Sequence, residues 1–190
     1  MPRVPAAYLE ARRRGILKAA QRCFVRGGLH ATTTREICRA ANLSPGAVYR
    51  YFDSKQAIIE ELARESRERM SSFVSSLDLE DGGHPVEALL GALDRPEAAE
   101  WIRLDAALWA EAVRTEETGR LFRDAAHEVA AELARRVRLE QDRGRLDPAL
   151  DAAAFGRLLL ALFDGLALQK AIDSEIDSRG VARALIDRLG

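Results

Sequence analysis

Apolar residues recur at three- and four-residue spacing along almost the whole chain, and strand-like alternation is absent. Over 9–26, Ile16, Leu17, Ala20, Cys23 and Phe24 share one helical face, and Gly27-Gly28 ends the helix because glycine turns left-handed most easily. A second helix opens at Thr33. The string Thr33-Thr34-Arg35-Glu36 is a capping box, after which Ile37, Cys38 and Ala41 face inward. Asn42-Leu43 is a tight break, since asparagine tolerates positive φ. Ser44 then caps a short helix over 45–52, with Pro45 at its first position, where a missing N–H costs nothing.

A long fourth helix starts at Asp53 or Ser54 and reaches to about Leu77. The polar stretch 78–85, DLEDGGHP, is a loop. Helices follow over 86–93, 97–114, 117–142, 149–172 and 176–189. Nine helices with short connections predict an all-α fold: a three-helix head, 1–56, on an antiparallel helical bundle, 57–190.

Charge adds a polarity that the apolar pattern does not show. The 190 residues are close to neutral, at −1. Yet 1–56 hold 11 Lys/Arg against 3 acids, net +8, and the rest holds 18 against 27, net −9. A basic head on an acidic body suits a polyanion partner. No uninterrupted apolar run approaches the roughly 20 residues of a membrane span, and the N-terminal stretch lacks a signal-peptide core, so a cytoplasmic protein without a membrane partner is expected. Two cysteines fit a reducing compartment, and Cys23 and Cys38 read as small core residues that could approach one another. His30, His84 and His127 stand apart, so no metal or cofactor is expected; with no nucleophile elbow and no Gly-rich phosphate loop, neither is an enzyme.

A capped helix, a short break and a second helix with a small-residue start form a helix-turn-helix. The second helix enters the major groove by its N-terminal end, and Pro45, Gly46 and Ala47 keep that end small. Thr34, Arg35, Ser44 and Lys55 stand at helix starts, where free N–H groups and the helix dipole attract phosphate. Val48 and Phe52 share a core face, which leaves Tyr49 and Tyr51 flanking Arg50, either to hold phosphates or to cover the seam between helices.

The spacing G-x-x-A-T-T-x-R-E-I-x-x-A-A-N-L-S-x-G-x-V-Y-x-Y-F-x-S-K over 28–55 resembles the signature of the tetracycline-repressor (TetR) family of bacterial regulators. The resemblance covers about 12–60 and implies phosphate contacts for Thr34, Lys55, Tyr49 and Tyr51. It also implies a base or phosphate contact for Arg35, and base edges against Pro45, Gly46 and Ala47. Asn42 stands where a turn glycine is usual, and Cys38 where alanine is. Beyond residue 60, WIRLDAALWAEAVR and LLLALFDGLALQ resemble one subgroup of regulatory domains. The implied assembly is a homodimer through the last two helices, bound to a palindromic double-stranded DNA operator and responsive to a small molecule. Phe155, Leu158, Leu159, Leu162, Phe163 and Leu166 give the eighth helix an apolar surface wider than one packing face, and Val181, Leu185, Ile186 and Leu189 add to it from the ninth.

On the sixth helix Trp101, Asp105, Leu108, Trp109 and Ala112 fall within one broad face, with Asp105 between both tryptophans. Two readings stay open. One is a pocket for a hydrophobic effector, its rings able to hold a cation, with Met70, Phe73 and Phe122 as further walls. The other is an internal ion pair or hydrogen bond from Asp105 to another helix, with the tryptophans as core. Two other classes stand beside the regulator: a module whose basic head binds protein or RNA without an effector, and a small helical enzyme using Asp105.

Overall fold

The computed structural model describes residues 5–77 and 84–189, apart from the side chains of Pro85, Arg188 and Leu189. Most of the expected loop at 78–85 lies outside the described residues. Among them, nine α-helices, one 3-10 turn and no strand occur: α1 (Ala6–Gly27), α2 (Thr34–Ala41), α3 (Pro45–Tyr49), α4 (Lys55–Ser75), α5 (Pro85–Gly91), the turn Ala92–Asp94, α6 (Ala98–Arg114), α7 (Glu116–Asp142), α8 (Ala152–Ile172) and α9 (Ser178–Leu189). Helix α3 is shorter than predicted because the Val48 carbonyl accepts from both Tyr51 and Phe52, which tightens and ends the turn.

Two apolar clusters organise these helices. The first joins Ile16, Phe24, Ile37, Val48 and Phe52 of the head to Ile58 and Leu62 of α4, and continues into Leu104, Leu108 and Phe122. The head therefore rests on α6 and α7 as well as on α4. The second fills the body with Met70, Val74, Leu89, Val129, Leu133, Phe155, Leu159 and Phe163. Helices α7 and α8 pack so closely that a Cβ on Gly156 would lie 2.7 Å from the Ala134 nitrogen. Helix α9 packs on α5, its first turn capped by Asp94, which accepts from Arg179 N at 3.0 Å and from Lys170 Nζ at 2.8 Å.

By length and composition α8 is long and apolar enough to cross a membrane, although Arg157, Asp164 and Lys170 interrupt its apolar run. Here it is a core helix: Phe155, Leu159, Phe163 and Leu166 are buried in the chain's own interior.

Candidate DNA-reading head and effector cavities

In the head, the Thr33 hydroxyl accepts from Glu36 N at 3.3 Å, and the Glu36 carboxylate accepts from Thr33 N at 2.7 Å. That backbone bond, with the Thr33 hydroxyl, holds the Glu36 carboxyl below its ordinary range. Asn42 is left-handed, at φ 53° and ψ 47°, and lets the chain reverse into α3. The Ser44 hydroxyl accepts from Ala47 N at 3.3 Å. Ser44, Pro45 and Gly46 are exposed, and a Cβ on Gly46 would meet nothing within 4 Å. The N-terminal end of α3 is thus a bare, small-residue tip.

Around that tip, Arg35, Tyr49 and Arg50 are exposed, whereas Thr34, Ala47 and Tyr51 are half-buried. Tyr51 packs on the head cluster, so its ring also covers a seam there. Val48 and Phe52 are buried, as their spacing predicts, with the Arg13 guanidinium 5.1 Å from the Phe52 ring centre.

Lys55 is placed differently from the expected free donor. Its ammonium donates to the carbonyls of Leu29 (2.9 Å), His30 (3.1 Å) and Thr32 (3.0 Å), which uses all three of its hydrogens on the α1–α2 loop. The same loop is held from the body: His30 Nε2 lies 3.3 Å from Glu111 Oε2 of α6. That oxygen is buried within ion-pair distance but off the hydrogen-bond line.

The body has two principal cavities on either side of Asp105 and Phe163. One, of about 330 Å³, is bounded by α4, α6 and α8; Met70, Phe73, Trp101, Asp105 and Phe163 line it, with Arg69 and Arg95 among its polar groups. Trp101 stacks on Phe163, centroids 6.2 Å apart and planes 7° from parallel. The other, of about 560 Å³, lies between α6 and α8 and includes Trp109 and Asp164. The expected pocket face is therefore divided. Met70, Phe73, Trp101 and Asp105 come together, and Trp109 faces the second cavity. Leu108 and Phe122 line neither of the two, being buried in the cluster beneath the head.

Asp105 has the internal partners that one reading proposed. Arg67 Nη2 lies 3.2 Å from Asp105 Oδ2, and the Ser66 hydroxyl donates to Oδ1. Arg67 is buried, its guanidinium 4.1 Å from the Phe122 ring centre, and burial draws its pKa down. Asp164 of α8 completes the group. Burial pushes its carboxyl up to about 6, Arg67 draws it down and Asp105 raises it further. Sequence reasoning missed Arg67 and Asp164, although both leave a signal: Arg67 shares the stripe of Ala63, Met70 and Val74, and Asp164 interrupts an apolar run.

Of the expected interface residues, Phe155, Leu159, Phe163 and Leu166 belong to the chain's own core. Leu158 and Val181 are exposed, and Leu162 and Leu185 half-buried. Ala154, Leu158, Ala161, Leu168 and Ile172 are exposed along one stripe of α8, with half-buried Gly165 between Ala161 and Leu168.

Comparison with known proteins follows the same division of head and body. Residues 16–62 match the family described as bacterial regulatory proteins, tetR family, and 85–189 match the BetI-type transcriptional repressor, C-terminal. The HTH-type transcriptional repressor Rv1474c of Mycobacterium tuberculosis is 28% identical over 166 residues, 87% of this chain and 86% of that protein. The HTH-type transcriptional repressor AcnR of Corynebacterium efficiens is 31% identical over 156 residues, 80% of this chain and 78% of its own. The structure of Salmonella enterica GusR superposes with a TM-score of 0.77 at 28% identity, covering 94% of this chain and 95% of that one.

Proposed function

The chain belongs to the tetR family of bacterial regulatory proteins, and from that premise we propose that it is a repressor whose dimer binds a palindromic operator and is released by a small hydrophobic effector. The observation that carries this reading is the use of α4 by both ends of the molecule. Its first residue, Lys55, grips the loop that precedes the helix-turn-helix, and Ser66, Met70 and Phe73 further along it line a cavity. A ligand that binds better to one tilt of α4 shifts the spacing of two recognition helices by that difference in affinity, and by nothing else.

Arg35, Tyr49 and Arg50 are the groups proposed to meet phosphates or bases around the tip Pro45-Gly46-Ala47, with Thr34, Ser44 and Tyr51 beside them. Lys55 is proposed to act on DNA through the loop it holds. The exposed stripe of α8, with Val181 and Leu185 of α9, is the surface proposed for the second copy, and a two-fold dimer calls for half-sites one or two helical turns apart. The effector is proposed to lie against Met70, Phe73 and Trp101 and to act as an inducer. A cytoplasmic location and the lack of a catalytic role go with this reading.

Selection of duplexes from a random pool, followed by titration across salt, tests it. A palindromic consensus bound by two chains is expected, with log affinity falling linearly in log salt. Recovery of no consensus, or binding by one chain alone, would contradict the reading.

A further inference from the structure

The basic charge of the head is not spread evenly. Arg14, Lys18, Arg22 and Arg26 follow one another at four-residue spacing along α1, and all are exposed. At about 100° per residue this row lies opposite the buried face of Ile16, Leu17, Ala20, Cys23 and Phe24. Arg35 and Arg39 repeat the spacing on the exposed side of α2. The two rows meet at Glu36, whose carboxylate is held first by Thr33 and then feels the charges of Arg39 and Arg26.

Like charges four places apart on a helix repel one another, and an acid one turn away would relieve them. Among the described residues Lys18, Arg22, Arg26, Arg35 and Arg39 enter no ion pair, and Arg14 has Glu10 at 3.9 Å. Glu36 spends its carboxylate on the Thr33 N–H. A track of largely unneutralised cations is complementary to a phosphate backbone. From Arg14 to Arg26 the helix rises about 18 Å, the length of about five phosphates along one strand. Arg35 stands among the groups around the α3 tip, so the track is continuous with the surface proposed to meet the half-site.

We propose that this track, from Arg35 and Arg39 across to Arg26, Arg22 and Lys18, binds the DNA backbone outside the half-site, as the duplex curves from the α3 tip along α1. Flanks that bend easily then bind more tightly, although no side chain reads their bases. The proposal deepens the operator reading and rests on it in the flank series below, whereas the random-duplex comparison needs no operator.

Two triple variants remove the same charge from different places. One combines Lys18→Gln, Arg22→Gln and Arg26→Gln in the track. The other combines Arg103→Gln, Arg123→Gln and Arg138→Gln, exposed body arginines that are unpaired among the described residues. Titrated against a random-sequence duplex of about 40 base pairs, the track variant should show a log–log salt slope smaller by about 3, and the body variant the wild-type slope. The selected palindromic duplex is then given flanks of about 3 or about 12 random base pairs on each side. At about 50 mM salt the long flanks should raise wild-type affinity at least about tenfold, and the gain should vanish in the track variant. All six changed residues face solvent, so Tm should not fall and a loss of binding is not a loss of fold. Equal slopes for the two variants, no gain from long flanks, or a gain that survives in the track variant would overturn the proposal. So would a slope change confined to duplex RNA or to vesicles rich in phosphatidylserine, which would give the track to another polyanion. Failure of the operator reading shows separately, as a selection without a consensus, and leaves the random-duplex comparison to decide.

Discussion

The Arg67–Asp105–Asp164 group responds in opposite directions to one chemical change. Asp105→Asn removes the carboxylate that holds Arg67 and leaves a buried guanidinium against Phe122. Removing one partner of a buried pair costs about 3–5 kcal/mol. Here Asp164 still faces Arg67 and the new amide still reaches Ser66, so the loss should be roughly 2 kcal/mol. Asp164→Asn instead removes a carboxyl that burial has pushed from 3.8 to about 6. With the folded-state pKa raised, the folded protein favours the protonated acid. Ionisation then costs stability: nothing below pH 3.8, a growing amount up to about 6, and the full amount above it. At about 1.4 kcal/mol per pH unit that gap is worth about 3 kcal/mol, or roughly 2 once the residual solvent contact of the group is allowed for. Asp164→Asn should therefore stabilise the protein by roughly 2 kcal/mol at pH 8 and hardly at all at pH 4. In a chain of this length the two variants should move Tm by roughly 4–8 °C at pH 8, one up and one down. Thermal denaturation at fixed protein concentration, repeated from pH 4 to 8, reads both. A lower Tm for Asp164→Asn at pH 8, or a difference from wild type that does not change with pH, would refute the reasoning.

Three further outcomes follow from contacts elsewhere. Lys55→Met deprives three loop carbonyls of a donor and should lower stability by about 1–2 kcal/mol. It should leave the salt slope of DNA binding unchanged, and a slope smaller by about one would show a direct phosphate contact. Gly156→Ala drives a Cβ into the α7 backbone and should cost about 1–3 kcal/mol, whereas Gly15→Ala, with open space around it, should gain up to about 1; denaturant unfolding of the two variants side by side checks the contrast. Glu111→Gln removes the charge that meets His30, so amides of 28–33 should exchange faster while those of α8 do not. Unchanged protection in the loop would mean that Glu111 does not hold it.

Local chemistry made the head legible. The capping box, the left-handed Asn42, Ser44 as cap and Pro45 at the first helical position each depend on residues within four places of one another, and each is present. The body was legible as helices but not as depths. A helical wheel puts Trp101, Asp105, Leu108 and Trp109 on one face, yet α6 crosses from body to head. Leu108 therefore sinks into the head cluster while Trp101 and Trp109 face different cavities. The partners of Asp105 lie on α4, nearly forty positions away, and no local pattern joins them. Lys55 shows the same limit. A lysine at a helix start looks like a phosphate ligand until the carbonyls of Leu29, His30 and Thr32 are seen around it. The width of the apolar surface of α8 was readable, but which half covers the core and which stays exposed was not.

The central claim is that the bare tip of α3 reads DNA. Gly46→Glu tests it most directly, since a side chain there meets nothing within 4 Å and the fold should tolerate it. Anisotropy titration of the selected palindromic duplex should show the variant binding at least about a hundredfold more weakly than wild type at the same salt, from a carboxylate set against phosphates and base edges. Its Tm should match that of the wild type. Undiminished binding by a folded Gly46→Glu protein would contradict the account.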